Sequence, residues 1–238
     1  MIVHALKQTW HRDLVDRPET HAWVLSLYRA GELHPQTVAD YFPSHAADDH
    51  ELRASMERHA ADEVRHVKMY DRALAKMGQE LTVFEGLDVF NVAIRTETEA
   101  PHNEFTTNGA VSADARREKL AHFLAHAHFL EERIARSLEY HLDACERARV
   151  AEVIPSVSSV LADEQRHTTY TLEAVKDLLP RARAEHVLSV HRRGEARANL
   201  SFSARQVRSF LATFGSRLPR ALLYRSCASM MEAAHAAL

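Results

Sequence analysis

Cysteine is nearly absent from this chain: Cys145 and Cys227 are the only two in 238 residues. That excludes a disulfide framework and any cysteine-rich zinc or iron–sulfur centre. Glycine (6) and proline (7) are also scarce, at roughly half or less of average usage. So few turn-makers, beside abundant Ala, Leu, Arg, Glu and His, argue against a sandwich, a barrel or a disordered chain. No apolar run approaches the ~20 residues that a membrane span needs. The opening stretch Met1–Trp10 lacks the charged and then apolar layout of a secretion signal. A soluble, cytoplasmic protein without a membrane partner is the expectation. The length suits one large domain, or one domain with an appended piece, and can bury a core without a covalent staple.

Charge is unevenly spread. The net charge is −3, but residues 181–238 carry ten arginines, no lysine and three acids. That is +7 for the tail, leaving −10 for residues 1–180. A basic helical tail packed on an acidic body or on a second subunit accounts for this. A docking surface for nucleic acid or another anionic partner is the sharper alternative.

Hydrophobic periodicity predicts helices throughout. Pro18 opens the first, with Trp23, Val24, Leu27 and Tyr28 on one face. Gly31 and Pro35 are expected to interrupt or kink it before the pattern resumes through Val38, Tyr41 and Phe42. A second long helix is predicted from about His50 to Met77, with Gly78 as its stop. Residues 81–112 read as a crossover with one helix near Leu87–Thr98. A third helix, capped by Ser112 or Asp114, runs to about Val150. A fourth starts at Pro155 and ends near Leu179–Pro180. Two or three amphipathic helices follow, with Phe202, Val207, Phe210, Leu211 and Phe214 as one stripe. The expected fold is all-α: a four-helix bundle with one long crossover over residues 1–180, and a basic helical extension over 181–238.

A short repeat carries the chemistry. Residues 61–66 read Ala-Asp-Glu-Val-Arg-His and residues 162–167 read Ala-Asp-Glu-Gln-Arg-His. A Glu and a His three apart share one helix face and can bind one ion together. The spacing alone is weak, and Glu99 with His102 has it too. The longer pattern Asp-Glu-x-Arg-His is expected roughly 0.01 times from this composition and occurs twice. A duplicated surface motif of salt bridges is the bland explanation, and helical phase opposes it. Glu63 falls on the stripe Met56, Ala60, Val67, Tyr70 and Leu74; Glu164 and His167 fall on the stripe Val157, Val160 and Thr171. A carboxylate on an apolar face needs a cation. Carboxylates with imidazole suit iron, or manganese, rather than copper or structural zinc.

With these motifs, residues 18–179 resemble the ferritin-like di-iron carboxylate superfamily, in its oxygen-activating Asp-Glu-x-Arg-His members. The resemblance implies two Glu-x-x-His pairs plus one Glu from each of two other helices, about 30 to 35 residues upstream of each pair. Glu32 lies 31 residues before Glu63, although Pro35 departs from the family's pattern there, and Glu19 is the fallback. Glu131 lies 33 residues before Glu164, while Glu132 points about 100° away. The implied ligands are Glu32, Glu63, His66, Glu131, Glu164 and His167, holding two iron ions. The resemblance also implies that Asp62 holds His167 and Asp163 holds His66, with Arg65 and Arg166 neutralising the aspartates. His59 and His128 are each open to a ligand role, a supporting role or plain partial burial, and Tyr70 to cavity lining, a redox role or plain packing. The zinc-like pair His122 and His126 lacks an evident third ligand.

The implied function is that of a non-haem di-iron oxidase or oxygenase acting on a small organic substrate with dioxygen and an external electron donor. Three alternatives are a ferroxidase or peroxidase of ferritin or rubrerythrin type, a tRNA-modifying hydroxylase, and a metal-free scaffold. A homodimer is compatible with the apolar stripe of the tail.

Overall fold

The computed structural model describes residues 2–37, 41–84 and 112–238. Every regular element among them is helical: α1 (Ile2–Val15), α2 (Pro18–Thr37), α3 (His50–Lys76), α4 (Ala113–Ala148), α5 (Ile154–Leu178), α6 (Arg181–Phe214) and α7 (Ala221–Ala237). The helix proposed near Leu87–Thr98 and the pair Glu99 and His102 lie outside the described residues, as does Val38. No described helix is long and apolar enough to cross a membrane.

Local chemistry sets the ends. The Asp49 carboxylate accepts the Leu52 N–H at 2.8 Å and starts α3, and the Ser112 hydroxyl accepts the Ala115 N–H at 3.2 Å and starts α4. Each satisfies a donor that the first helical turn leaves bare. Gly78 closes α3 with φ +64°, and Gln79 N–H reaches back to Leu74 C=O, a left-handed stop that costs glycine nothing. Pro155 occupies the first turn of α5, where its missing N–H is no loss.

Two expectations are corrected. The chain begins with a helix, α1, that the sequence pattern did not single out; its Leu14 is fully buried against Trp23 and Phe210. And α2 runs unbroken through Gly31 and Pro35 to Thr37. Pro35 sits in the last turn, where it deletes one backbone bond just before the helix ends in any case. Tyr41 and Phe42 lie in the bend leading to a short 3₁₀ turn at Ser44–Ala46 rather than in a resumed helix.

Side-chain pairings fix the directions. Arg29 meets Asp71 and Glu32 meets His66, so α2 and α3 are antiparallel. Tyr28 meets Ser137 and His21 meets His141, so α2 and α4 are antiparallel. Arg65 meets Asp163 and Ser156 meets Met69, so α3 and α5 are antiparallel as well. Helices α3 and α4 therefore point the same way. Helix α6 runs parallel to α4, with Arg183 against Glu118, His191 against His122 and Ala198 against Leu130. Helix α7 folds back on α6, where Arg208 holds Glu232.

Gly31 faces open space: a Cβ there would meet nothing within 4 Å. Replacing a helical glycine whose side chain has room removes backbone entropy from the unfolded chain. We expect Gly31→Ala to raise unfolding stability by about 0.5–1 kcal/mol in urea titration; a loss would show that the α2 backbone at this point is not helical.

Candidate metal centre

Four helices deliver one charged side chain or pair each to a common interior. Helix α2 brings Glu32, α3 brings Glu63 and His66, α4 brings Glu131, and α5 brings Glu164 and His167. All six are buried, with exposures from 0 to 5%. Two overlapping groups form. In Glu32, Glu63, His66 and Glu164 the potential ligand atoms all lie within 4.8 Å of one another, and the same holds for His59, Glu63, Glu131 and His167. Glu63 belongs to both. Glu164 also reaches both imidazoles: its Oε1 is 3.3 Å from His66 Nδ1 and its Oε2 is 3.2 Å from His167 Nδ1.

The imidazoles are oriented from behind. His66 Nε2 lies 3.2 Å from Asp163, and His167 Nε2 lies 3.2 Å from Asp62. The aspartate of each repeat thus holds the histidine of the other. With Nε2–H donated to these carboxylates, both Nδ1 lone pairs face the glutamates, the arrangement of a ligating histidine. Arg65 bonds Asp62 at 2.7 Å and Asp163 at 2.5 Å, while Arg166 bonds Asp62 at 2.5 Å and Asp163 at 2.7 Å. The two arginines and two aspartates close a ring. Burial raises an aspartate's pKa, but the bond to Arg65 and its other partners outweigh that and bring Asp163 down to about 2; Asp62 is lowered in the same way.

Inside the ring the electrostatics are unfavourable. Burial, with Glu32 close by, pushes Glu63 up to about 8, and burial with Glu131 pushes Glu164 well above the carboxylate range. Burial acts on Glu131 too, but hydrogen bonding from His59 overrides it and lowers this group to about 2. Burial disfavours charge on His66, yet Glu32 more than compensates and raises it to about 9. Burial beside His59 lowers His167 to about 4. Glu63 Oε1 and Glu164 Oε1 are buried without a hydrogen-bond partner. Four clustered carboxylates with two bare oxygens and inward-facing imidazole lone pairs fit metal cations. Two divalent ions would cancel four negative charges, and hard oxygen donors with imidazole suit iron or manganese.

His59, one turn before Glu63, turns out to face the centre. Its Nε2 lies 3.1 Å from Glu131 and 3.4 Å from Glu63, its Nδ1 lies 2.7 Å from Tyr170, and its ring stacks on His167 at 3.6 Å. Its i−4 spacing from Glu63 was the available signal. His128 points elsewhere, to Thr168 C=O, and His122 engages His191 and Glu118. Glu132 pairs with Arg136 and Glu19 is exposed. Tyr70 is fully buried, its hydroxyl without a hydrogen-bond partner.

A cavity of about 190 Å³ opens onto Glu32, Glu63 and Glu131. Its walls are largely apolar, with Leu27, Ala127, Leu130, Ile134 and Phe202 prominent, and its polar groups include Tyr28, Arg133, Ser137 and Gln206. Gly31 and Tyr70 line it too, and Tyr70 also packs in the apolar core with Leu74 and Leu138. A void of this size holds a molecule of about benzene's dimensions. No protein-family model matches this chain, and searches of curated proteins and of solved structures return no match.

Without metal, Glu63 titrates near 8 and His66 near 9. Both keep, in the folded state, a proton that the unfolded chain releases at lower pH. Stability therefore falls as pH rises through the window they share, from about 6.5 to 8. The lowered His167 acts below that window, where its contribution grows with pH. We expect the melting temperature of the metal-free chain to drop between pH 6.5 and 8 and the drop to shrink in Glu63→Gln. A flat or rising profile in the wild type would contradict the protonation assigned to Glu63.

Proposed function

We propose that the chain is a non-haem di-iron oxidase or oxygenase that uses dioxygen to oxidise a small organic substrate. The observation that carries this reading is the convergence of Glu32, Glu63, His66, Glu131, Glu164 and His167 beside a largely apolar cavity. The up-down-down-up run of α2 to α5, with its long connection, supports a ferritin-like bundle. On this reading Glu32, Glu63, His66, Glu131, Glu164 and His167 would hold the two iron ions. His59 is a seventh candidate, on the side of Glu131 and His167.

Bound as a pair, reduced iron ions supply dioxygen with electrons two at a time. The protein's part is to orient and to exclude water. Asp62 and Asp163 fix the imidazole tautomers, and Arg65 and Arg166 keep those aspartates ionised. The apolar wall of Leu27, Leu130, Ile134 and Phe202 holds the substrate against Glu32, Glu63 and Glu131. Tyr28, Ser137, Gln206 and Arg133 offer hydrogen bonds that orient it.

The cavity sets this reading ahead of a ferroxidase or peroxidase built on the same ligands, since an apolar recess contributes nothing to iron transit. A nucleic-acid substrate is disfavoured by where the tail arginines go: Arg183 pairs with Glu118, Arg208 with Glu232 and Arg220 with Asp13. Cytoplasmic location and an external electron donor belong to the same proposal.

Anaerobic titration with ferrous iron is expected to give two equivalents per chain, with both lost in Glu63→Ala and in Glu164→Ala. A metal-free wild type would leave a helical scaffold as the reading; one equivalent would refute a two-ion centre. Asp62→Asn and Asp163→Asn are expected to weaken iron binding about 10- to 100-fold with helix content unchanged. Equal affinity in these variants would show that the crossed aspartates do not orient the ligands.

A further inference from the structure

A second cluster of metal-ligating side chains lies at the other end of α2, away from the carboxylates. His21 on α2 faces His141 and Cys145 on α4. His141 and Cys145 are four residues apart and so share one helix face. The three are fully or almost fully buried, at 1%, 0% and 0% exposure. His21 Nε2 lies 3.1 Å from His141 Nε2 and 3.7 Å from Cys145 Sγ. All three ligand atoms lie within 4.8 Å of one another. We propose that His21, His141 and Cys145 form a second metal site, which takes one thiophilic d¹⁰ cation.

The spacing is that of ligands around an ion. Metal–nitrogen bonds of about 2.0–2.1 Å and a metal–sulfur bond of about 2.3 Å at tetrahedral angles put two nitrogens about 3.3 Å apart and nitrogen and sulfur about 3.6 Å apart. The observed 3.1 and 3.7 Å need only small adjustments. A plain core hydrogen bond explains less. His21 Nε2 offers one hydrogen-bonding position, yet it faces both a second Nε2 and a sulfur, so an ordinary pairing leaves one of those contacts without a bond.

The protonation states suit ligation on the nitrogen side. Burial holds His21 down at about 4 and His141 well below the usual imidazole range, so both are neutral at physiological pH. Burial holds the Cys145 thiol up at about 12, so loading must displace one proton. The donor set is soft and contains no carboxylate. One thiolate with two neutral imidazoles makes an uncharged centre with Cu(I) and leaves +1 with Zn(II). In so buried a place the neutral centre is favoured, and thiolate with imidazole suits both ions.

This proposal stands apart from the iron reading. The rings of Tyr28 and Tyr70 intervene: His141 to Tyr28 is 5.3 Å and Tyr28 to Tyr70 is 5.9 Å between centroids. The test uses the full chain carrying Glu63→Ala and Glu164→Ala, which removes the carboxylate centre, alongside the wild type. Each is titrated anaerobically with Cu(I) against a competing chelator, and separately with Zn(II) and with Co(II) as a spectroscopic stand-in. One equivalent of Cu(I) is expected in both backgrounds, and one of Zn(II), with a thiolate-to-cobalt charge-transfer band in the Co(II) arm, in the chain that lacks the carboxylate centre. Cys145→Ala and Cys145→Ser are each expected to weaken it by about a hundredfold or more, with release of one proton per ion lost as well. Metal-free melting curves of the two cysteine variants serve as the folding control, and if both fail to fold, His21→Gln takes their place. No binding by either ion at micromolar concentration, or affinity unchanged in a folded variant, overturns the site.

Discussion

Four glutamates share one buried interior, and most of the structure can be understood as the means of keeping them there. Carboxylates packed this closely repel one another and lose their water. Without cations the interior compensates by protonation, with Glu63 and Glu164 raised while His59 and His66 gain charge. Such an arrangement is a poor way to stabilise a fold, since apolar residues of similar size would serve better. Carboxylates placed there by four separate helices make sense when positive charge enters the space between them.

The Asp-Glu-x-Arg-His repeat builds this centre by crossing its own copies. Each aspartate holds the other repeat's histidine, and each arginine spans both aspartates. Helices α3 and α5 are thereby pinned at one register, because a slip of one turn would part every cross-helix bond of the ring at once. The ring is partly exposed, with the arginine side chains at 42 and 43%, so its ion pairs alone add little stability. Their value is geometric: they aim two imidazoles inward.

Much of this was legible in the sequence because the chemistry is local to helix faces. The repeat and its phase against Met56, Val67 and Tyr70 give Glu63, His66, Glu164 and His167, while Glu32 and Glu131 rest on the upstream spacing that the family resemblance implies. The Gly78 stop and the Ser112 cap are equally local. What escaped the sequence depends on contacts between distant segments. Helix α1 has a mixed pattern, and its Leu14 reads as core only once Phe210, some 200 residues later, packs on it. Pro35 looked like a breaker because its effect depends on how soon the helix ends. His59 had the right spacing, but so do several of the 17 histidines; only Glu131 and His167 on α4 and α5 distinguish it. The cluster His21, His141 and Cys145 joins residues about 120 apart, a separation at which single-sequence motifs carry no signal.

The two halves of the centre are not equivalent, and the difference bears on where chemistry takes place. The 101-residue offset that superposes the repeats carries His59 onto Val160, itself fully buried. One half therefore has an imidazole stacked on His167, and the other has an apolar side chain. The cavity adds a second asymmetry. It touches Glu32, Glu63 and Glu131 but none of the ring residues, and its outer wall includes Phe202 and Gln206 of α6. The Asp–Arg ring thus closes the centre along α3 and α5, while the open face lies toward α2, α4 and α6. The arginine-rich C-terminal segment, which composition marks as an appendage, forms part of the chamber in which a substrate would meet the carboxylates. On the proposed function, Phe202 and Gln206 shape the space open to a substrate, and the repeat supplies the groups that would hold the metal.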